Sequence, residues 1–203
     1  MKKKYTFLNI QKFLGWLAFP ILGAMIIIVL KWIRRYSVSG IKDIRDEYRK
    51  ILSAGRPVLI CPNHLTMVDS VIIQWALVSF WGYIFHYRMF PWNIPAKENF
   101  SSSLTARIIT YLSKCIPIAR QGDEEHIQGV LDMAGSLIQS KEPFLIFPEG
   151  TRSRTGKIEV EEVAYGVGKI LQQNPDAVVV CVYLRASKQD TYSTIPASKD
   201  TFY

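Results

Sequence analysis

Two short motifs carry the residues most able to do chemistry. Asn63-His64-Leu65-Thr66-Met67-Val68-Asp69 offers an imidazole with a carboxylate five positions on. About eighty residues later comes Phe147-Pro148-Glu149-Gly150-Thr151-Arg152-Ser153, directly after an apolar run. A neutral imidazole accepts a hydroxyl proton as that oxygen attacks an acyl carbonyl. A carboxylate on the other ring nitrogen fixes the tautomer and stabilises the imidazolium. In the second motif Pro148 ends a strand and Gly150 frees the backbone for a tight loop. Arg152, Arg154 and Lys157 then crowd a short stretch, and arginine reads phosphate through a two-pronged contact. Glu149 is placed to bond an acceptor hydroxyl or to orient Arg152. Arg120, closing Cys115-Ile116-Pro117-Ile118-Ala119-Arg120, adds a cation at a strand end that could share the same anion. Together the motifs suggest activation of a hydroxyl on a phosphate-bearing acceptor.

Geometry limits how His64 and Asp69 can meet. Five residues of helix rotate the chain by about 500°, which would point the two side chains apart. They meet only if His64 lies in the turn before a helix and Asp69 in its first turn. Pro62 and Asn63 favour such an entry. Other readings stay open at this level. Thr66-x-x-Asp69 also matches a helix capping box. Cys61 could serve as a nucleophile with His64 as its base. The basic loop could be a solvated turn with Glu149 in a surface ion pair. His86 and His126 have no comparable setting, and His126 beside Glu124 and Glu125 reads as solvated.

The elements that must position these groups follow from periodicity. Helical spacing is expected over 41–54, from Met67 to Phe80, over 104–112, over 123–139 and over 163–172. Val58-Leu59-Ile60-Cys61, Phe144-Leu145-Ile146-Phe147 and residues 177–184 are apolar runs of buried-strand type. Tyr83 to Met89 alternates like a strand, and Ile116-Pro117-Ile118 reads as a strand edge. Strands alternating with helices predict an α/β fold, with a mostly parallel central sheet flanked by helices. The segment after Arg185 is polar and is expected to be a lid or a frayed tail.

The N-terminus differs from the rest. Residues 1–50 carry eleven Lys/Arg against three Asp/Glu, while 51–203 carry fourteen of each. The excess thus sits beside an uncharged apolar run from Phe13 to Leu30. That pattern fits an anionic lipid surface and argues against nucleic acid as a partner. Eighteen residues make a helix of about 27 Å. Basic residues flank the run on both sides, and Pro20 and Gly23 sit within it, so a helix-turn-helix dipping into one leaflet is expected rather than a full span. No small-x-small site follows, so an uncleaved anchor is expected rather than a cleaved signal peptide. The division expected is 1–39 as a membrane-embedded anchor and 40–203 as the working domain. Cys61, Cys115 and Cys181 match no zinc spacing and read as buried, reduced thiols, which points to a cytoplasmic membrane face.

Both motifs, in this order and spacing, resemble the membrane-bound glycerolipid acyltransferases, the lysophospholipid or 1-acylglycerol-3-phosphate O-acyltransferase family. The similarity covers roughly residues 40–185. It implies transfer of a fatty acyl chain from acyl-CoA or acyl carrier protein to the free hydroxyl of a lysophospholipid, without an acyl-enzyme. It implies His64 as general base and Asp69 as its partner. By the same resemblance Arg120, Glu149, Gly150, Thr151 and Arg152 hold the acceptor, which is 1-acylglycerol-3-phosphate in the family's main pattern, and neither a metal nor a cofactor is required. The chain departs from that pattern at Cys115, Ala119, Cys181 and Glu161-Glu162. The two acids suggest an acceptor head group that carries positive charge or is larger. Two rival activities use the same residues: hydrolysis of an acyl ester or thioester by activated water, and lipid binding without catalysis.

Overall fold

A computed structural model describes residues 5–100, 103–153, 165–189 and 195–203. In chain order the elements are α1 (Thr6–Ile27), β1 (Ser37–Val38), α2 (Ile41–Ser53), β2 (Val58–Pro62), α3 (Asp69–Leu77), α4 (Phe80–Phe85), β3 (Trp92–Asn93), α5 (Lys97–Phe100), α6 (Leu104–Leu112), α7 (Glu124–Gln139), β4 (Phe144–Leu145), α8 (Gly166–Gln173), β5 (Val178–Val182) and β6 (Thr201–Phe202). The main sheet has the order β3-β4-β2-β5 and every pairing is parallel. The α/β class expected from the sequence is therefore what the chain forms.

β2 is buried at all five positions because helices cover both faces of the sheet. Its residues alternate between two cores. Val58, Ile60 and Leu145 pack with Tyr48, Ile72 and Tyr83 on the α2–α4 side. Leu59, Cys61 and Phe144 pack with Val130, Leu131, Ile138 and Ile170 on the α7–α8 side. Beyond β3 the ladder continues: Asn93 bridges Cys115 and Ala96 bridges Ile118, both in parallel register. The expected strand edge at Ile116–Ile118 is thus an outermost partner of the sheet. All these strands point their carboxyl ends to one edge, where ligand sites of α/β sheets collect.

Several expectations need correction. Tyr83 to Met89 is not a strand: α4 reaches Phe85 and a 3-10 turn covers Tyr87–Met89. The aromatic alternation has a tertiary cause, since Phe19 of α1 meets Phe80, Tyr83, Tyr87 and Phe90 at ring-centroid distances of 5.5–6.0 Å. The helix expected from Met67 to Phe80 divides into α3 and α4, with Ser79 capping the second through a bond from the Gly82 N–H. The described C-terminal residues are neither lid nor frayed tail, because β6 pairs in parallel with β1. Cys181 is exposed, since alternate residues of the edge strand β5 face outward.

The N-terminal run is also not a helix-turn-helix. α1 continues through Pro20 and passes into a π-helical turn over Ile28–Ile33. The combined helix, Thr6–Ile33, is 28 residues, long and apolar enough to cross a membrane, at about 42 Å. Gly23 serves close packing instead of a turn, for a Cβ there would sit about 3.0 Å from the Phe19 ring and 3.1 Å from Phe80. One stripe of the helix, Leu8, Gln11, Gly15, Phe19 and Gly23, is buried against the domain. Gln11 fixes it by donating to the carbonyls of Tyr111 (2.9 Å) and Cys115 (2.8 Å).

A buried charge cluster holds the same junction. Glu142 receives Lys12 of α1 at 2.8 Å and Lys114 at 3.0 Å, with the Trp92 indole donating at 3.3 Å. Lys114 is fully buried and also donates to the Phe90 carbonyl at 2.7 Å. Burial drives the Lys114 ammonium down to about 8, against the pull of Glu142. Burial alone would raise the Glu142 carboxyl, but Lys114 and Lys12 outweigh it and hold it below the ordinary carboxylate range. Removing one partner of such a cluster strands a charge. Glu142→Gln should therefore cost about 3–5 kcal/mol at neutral pH, read by urea unfolding; a change under about 1 kcal/mol contradicts the cluster's role. The pH dependence follows from linkage. Glu142 stabilises above the carboxylate range and loses that contribution as acid protonates the folded form. Above pH 8 the unfolded chain keeps the Lys114 proton that the folded chain sheds, which favours the fold. The buried Cys61 and Cys115 thiols, both pushed up to about 12, oppose this, because only the unfolded chain loses their protons at about pH 8.5. The two thiols outweigh the lysine, so stability falls above about pH 9.

Candidate active site

The site forms where β2 and β4 end side by side. Leu59 pairs with Phe144 and Ile60 with Leu145, so the chain leaving each strand enters the same space. This register is what brings the two distant motifs together.

After Pro62 the chain is held like one more strand residue. Asn63 donates its N–H to the Val182 carbonyl at 3.2 Å. Its side-chain amide copies a backbone pair, accepting from the Leu184 N–H at 2.6 Å and donating to the Leu184 carbonyl at 2.9 Å. His64 then occupies the turn and Asp69 opens α3, the only arrangement in which a five-residue spacing can close. His64 Nδ1 lies 3.0 Å from Asp69 Oδ2. The same oxygen accepts the N–H groups of Leu65 (2.6 Å) and Thr66 (2.7 Å), and the Thr66 hydroxyl donates to Asp69 Oδ1. The contact at the helix start and the contact to the imidazole are therefore made by the same residue. One carboxylate closes the helix start and fixes the imidazole. Asp69 is 2% exposed, while the His64 side chain keeps 16%. With Nδ1–H given to Asp69, Nε2 is the basic nitrogen, and no described residue bonds it.

The loop after β4 holds His64 from the other side. The His64 N–H donates to Glu149 Oε1 at 2.9 Å. The His64 carbonyl accepts from the Ser153 N–H at 2.8 Å. The Phe147 ring stacks on the imidazole, 3.9 Å between centroids and 19° from parallel. Gly150 makes this loop possible with φ of 63°, and its N–H returns to the Phe147 carbonyl at 3.0 Å. Glu149 is buried and clamps the histidine backbone, a role not anticipated from the sequence, where a surface ion pair, an acceptor hydroxyl or Arg152 were its expected partners. Asn63, Phe147 and Ser153 stand in the motifs, but periodicity and charge give no sign of what they touch.

The remaining candidates are placed as follows. Thr151 is exposed and its hydroxyl donates to the Arg152 carbonyl at 3.2 Å. Arg152 is half-buried beside Ser153. Arg154, Lys157, Glu161 and Glu162 lie outside the described residues. Arg120 is exposed at the same carboxyl edge, on the turn after the outermost strand segment. Three strand spacings, about 14 Å, separate that segment from β2. Arg120 is thus not in contact with His64, and only the sheet edge unites them. Cys61 packs in the α7–α8 core, and burial there drives its thiol up to about 12, a setting that disfavours the thiolate a nucleophile needs.

The backbone clamp is testable by amide exchange. Glu149→Ala should speed exchange of the His64 amide roughly fivefold to tenfold, the worth of one hydrogen bond. Glu149→Gln keeps an accepting oxygen and should leave it protected. Equal protection in wild type and Glu149→Ala would contradict the clamp.

Comparison with known proteins agrees with the motifs. The model of the family described as Acyltransferase matches residues 35–185. No curated protein matches the chain. Among solved structures, the crystal structure of the 1-acyl-sn-glycerophosphate (LPA) acyltransferase PlsC from Thermotoga maritima is similar at 14% identity and a TM-score of 0.43, covering 100% of this chain and 85% of that one. That likeness is too distant to carry an argument here. The family match spans most of the sequence and includes both motifs: the chain belongs to the acyltransferase family.

Proposed function

We propose that the chain transfers a fatty acyl group from an acyl-CoA or acyl carrier protein thioester to the free hydroxyl of a lysophospholipid, with 1-acylglycerol-3-phosphate as the acceptor that the motif set fits best. The observation that carries this reading is the His64 ring, held at Nδ1 by Asp69 with Nε2 left for substrate. His64 Nε2 takes the acceptor's hydroxyl proton as the oxygen attacks the thioester carbonyl. The tetrahedral intermediate collapses, the C–S bond breaks, and the proton passes from the imidazolium to the departing thiolate. An ester and a free thiol result, with no acyl-enzyme and no cofactor beyond the donor. Asp69 lowers the barrier by stabilising the transient imidazolium. Arg120, Gly150, Thr151 and Arg152 are assigned to the acceptor's phosphate and glycerol, and Glu149 to the histidine backbone.

We further read the N-terminal helix as the membrane contact, on a cytoplasmic face. Phe13, Leu17 and Ile21 on α1, Trp81 and Phe85 on α4 and Leu104 on α6 are all more than half exposed. α4 and α6 each pack on α1, so we read their exposed apolar residues as parts of one surface of the kind that marks an interaction site. Because the inner stripe of α1 is held to α4 and α6, an upright span would carry both into hydrocarbon. Lying along one leaflet fits the packing and the basic flank better.

The test is acyl transfer by purified wild type and His64→Ala, with radiolabelled acyl-CoA and a panel of lysolipids on anionic vesicles. Loss of at least about a thousandfold in the variant, with the fold retained, is expected. Equal activity removes His64 as base, and acyl release without transfer makes the chain a hydrolase. In the same vesicles Trp81→Asp with Phe85→Asp should lower the sedimented fraction; unchanged binding removes the membrane surface.

A further inference from the structure

The turn that carries Arg120 is braced from two sides by residues outside both motifs. The ladder beyond β3 ends there, with the Ile118 N–H on the Pro95 carbonyl at 3.0 Å and the Lys97 N–H on the Ile118 carbonyl at 2.8 Å. The next two amides have left the sheet, and side chains receive them. Ala119 donates its N–H to His126 Nε2 at 3.1 Å, from the first turn of α7. Arg120 donates its N–H to Glu98 Oε1 at 3.0 Å, from α5.

The surroundings are shaped around these bonds. His126 is fixed because its own N–H donates to Asp123, the cap of α7, at 2.8 Å. Gly122 folds its N–H back to the Ala119 carbonyl at 3.0 Å. A Cβ at Gly122 would lie 3.0 Å from that carbonyl and from the His126 ring, so a larger residue would have to push one of them aside by a few tenths of an ångström. Glu98 is held below the ordinary carboxylate range, by its own N–H first, then by the Arg120 N–H and the charges of Arg120 and Lys97. The Arg120 guanidinium itself has no bonded side chain among the described residues and faces solvent.

We propose that His126 and Glu98 are positioning residues for Arg120, fixing the Ala119–Arg120 backbone so that the guanidinium is presented to the acceptor's phosphate. This rests on the reading of Arg120 as a phosphate contact. Pre-ordering the turn removes part of the entropy that binding would otherwise lose. Both braces are exposed, so water can replace them without unfolding the protein. Their effect falls on acceptor binding and not on the chemical step, which His64 performs elsewhere on the sheet edge.

The experiment measures kcat and KM for 1-acylglycerol-3-phosphate, with acyl-CoA saturating, in the full chain and in His126→Ala, His126→Gln, Glu98→Ala, Glu98→Gln and Arg120→Ala. Amide exchange at Ala119 and Arg120 is followed in parallel. His126→Ala and Glu98→Ala should each raise KM roughly fivefold, with kcat and the melting midpoint nearly unchanged and with the matching amide exchanging faster. The Gln variants keep an accepting oxygen and should return to near wild-type KM. Arg120→Ala should raise KM most. A loosened amide with unchanged KM in the Ala variants, beside a raised KM in Arg120→Ala, overturns the positioning role alone. Gln variants as impaired as Ala variants also overturn it. An unchanged KM in Arg120→Ala overturns the reading of Arg120 and the inference together.

Discussion

The structure turns on a single buried oxygen. Asp69 Oδ2 takes the Nδ1 side of His64 and the N–H groups of Leu65 and Thr66 at distances of 2.6–3.0 Å. A carboxylate this deeply buried is tolerable only with its lone pairs filled by charge-assisted bonds. Meeting that need folds residues 64–66 into one tight turn, starts α3 and chooses the histidine tautomer. The group that accepts the N–H bonds before the helix is also the imidazole's partner, an anion where the helix start favours one. A substitution at Asp69 therefore disturbs the turn and the placement of the imidazole together.

The second motif complements the first through backbone, and this follows from sheet topology. β4 and β2 are parallel neighbours, so the loop after β4 emerges against the turn after β2. Glu149 and Ser153 bind the two sides of the His64 peptide, and Phe147 covers the ring. With Asp69 at the ring edge, His64 has little freedom left in backbone or side chain. That rigidity is what efficient proton transfer asks for, since a displaced base loses rate steeply. Acidic and basic residues in such loops are readily assigned to substrate; here the glutamate's first duty is to the histidine itself.

How much of this could be read from the sequence depended on range. α2, α6, α7, β2, β4 and β5 were legible because their signals are local: apolar periods of about 3.6, or short apolar runs closed by Pro or Gly. The pairing of His64 with Asp69 was legible because its spacing allowed only one geometry. Tyr83–Met89 misled because its aromatic alternation answers to Phe19, more than sixty residues earlier. β1, β3 and β6 are two residues each, too short to show a period. The Lys12–Glu142–Lys114 cluster joins residues 130 and 28 positions apart, and no local pattern announces it. His126 looked solvated because its acceptor role depends on a turn placed by the far edge of the sheet.

The central claim is that Asp69 holds Nδ1–H and leaves His64 Nε2 as the base. The most direct measurement is the nitrogen-15 spectrum of the His64 imidazole in full-length protein, with the ring neutral. The account predicts a protonated Nδ1, hydrogen-bonded and shielded from exchange, an unprotonated Nε2, and loss of that preference in Asp69→Ala. A proton resident on Nε2 in the wild type, or a tautomer unchanged by Asp69→Ala, would contradict it.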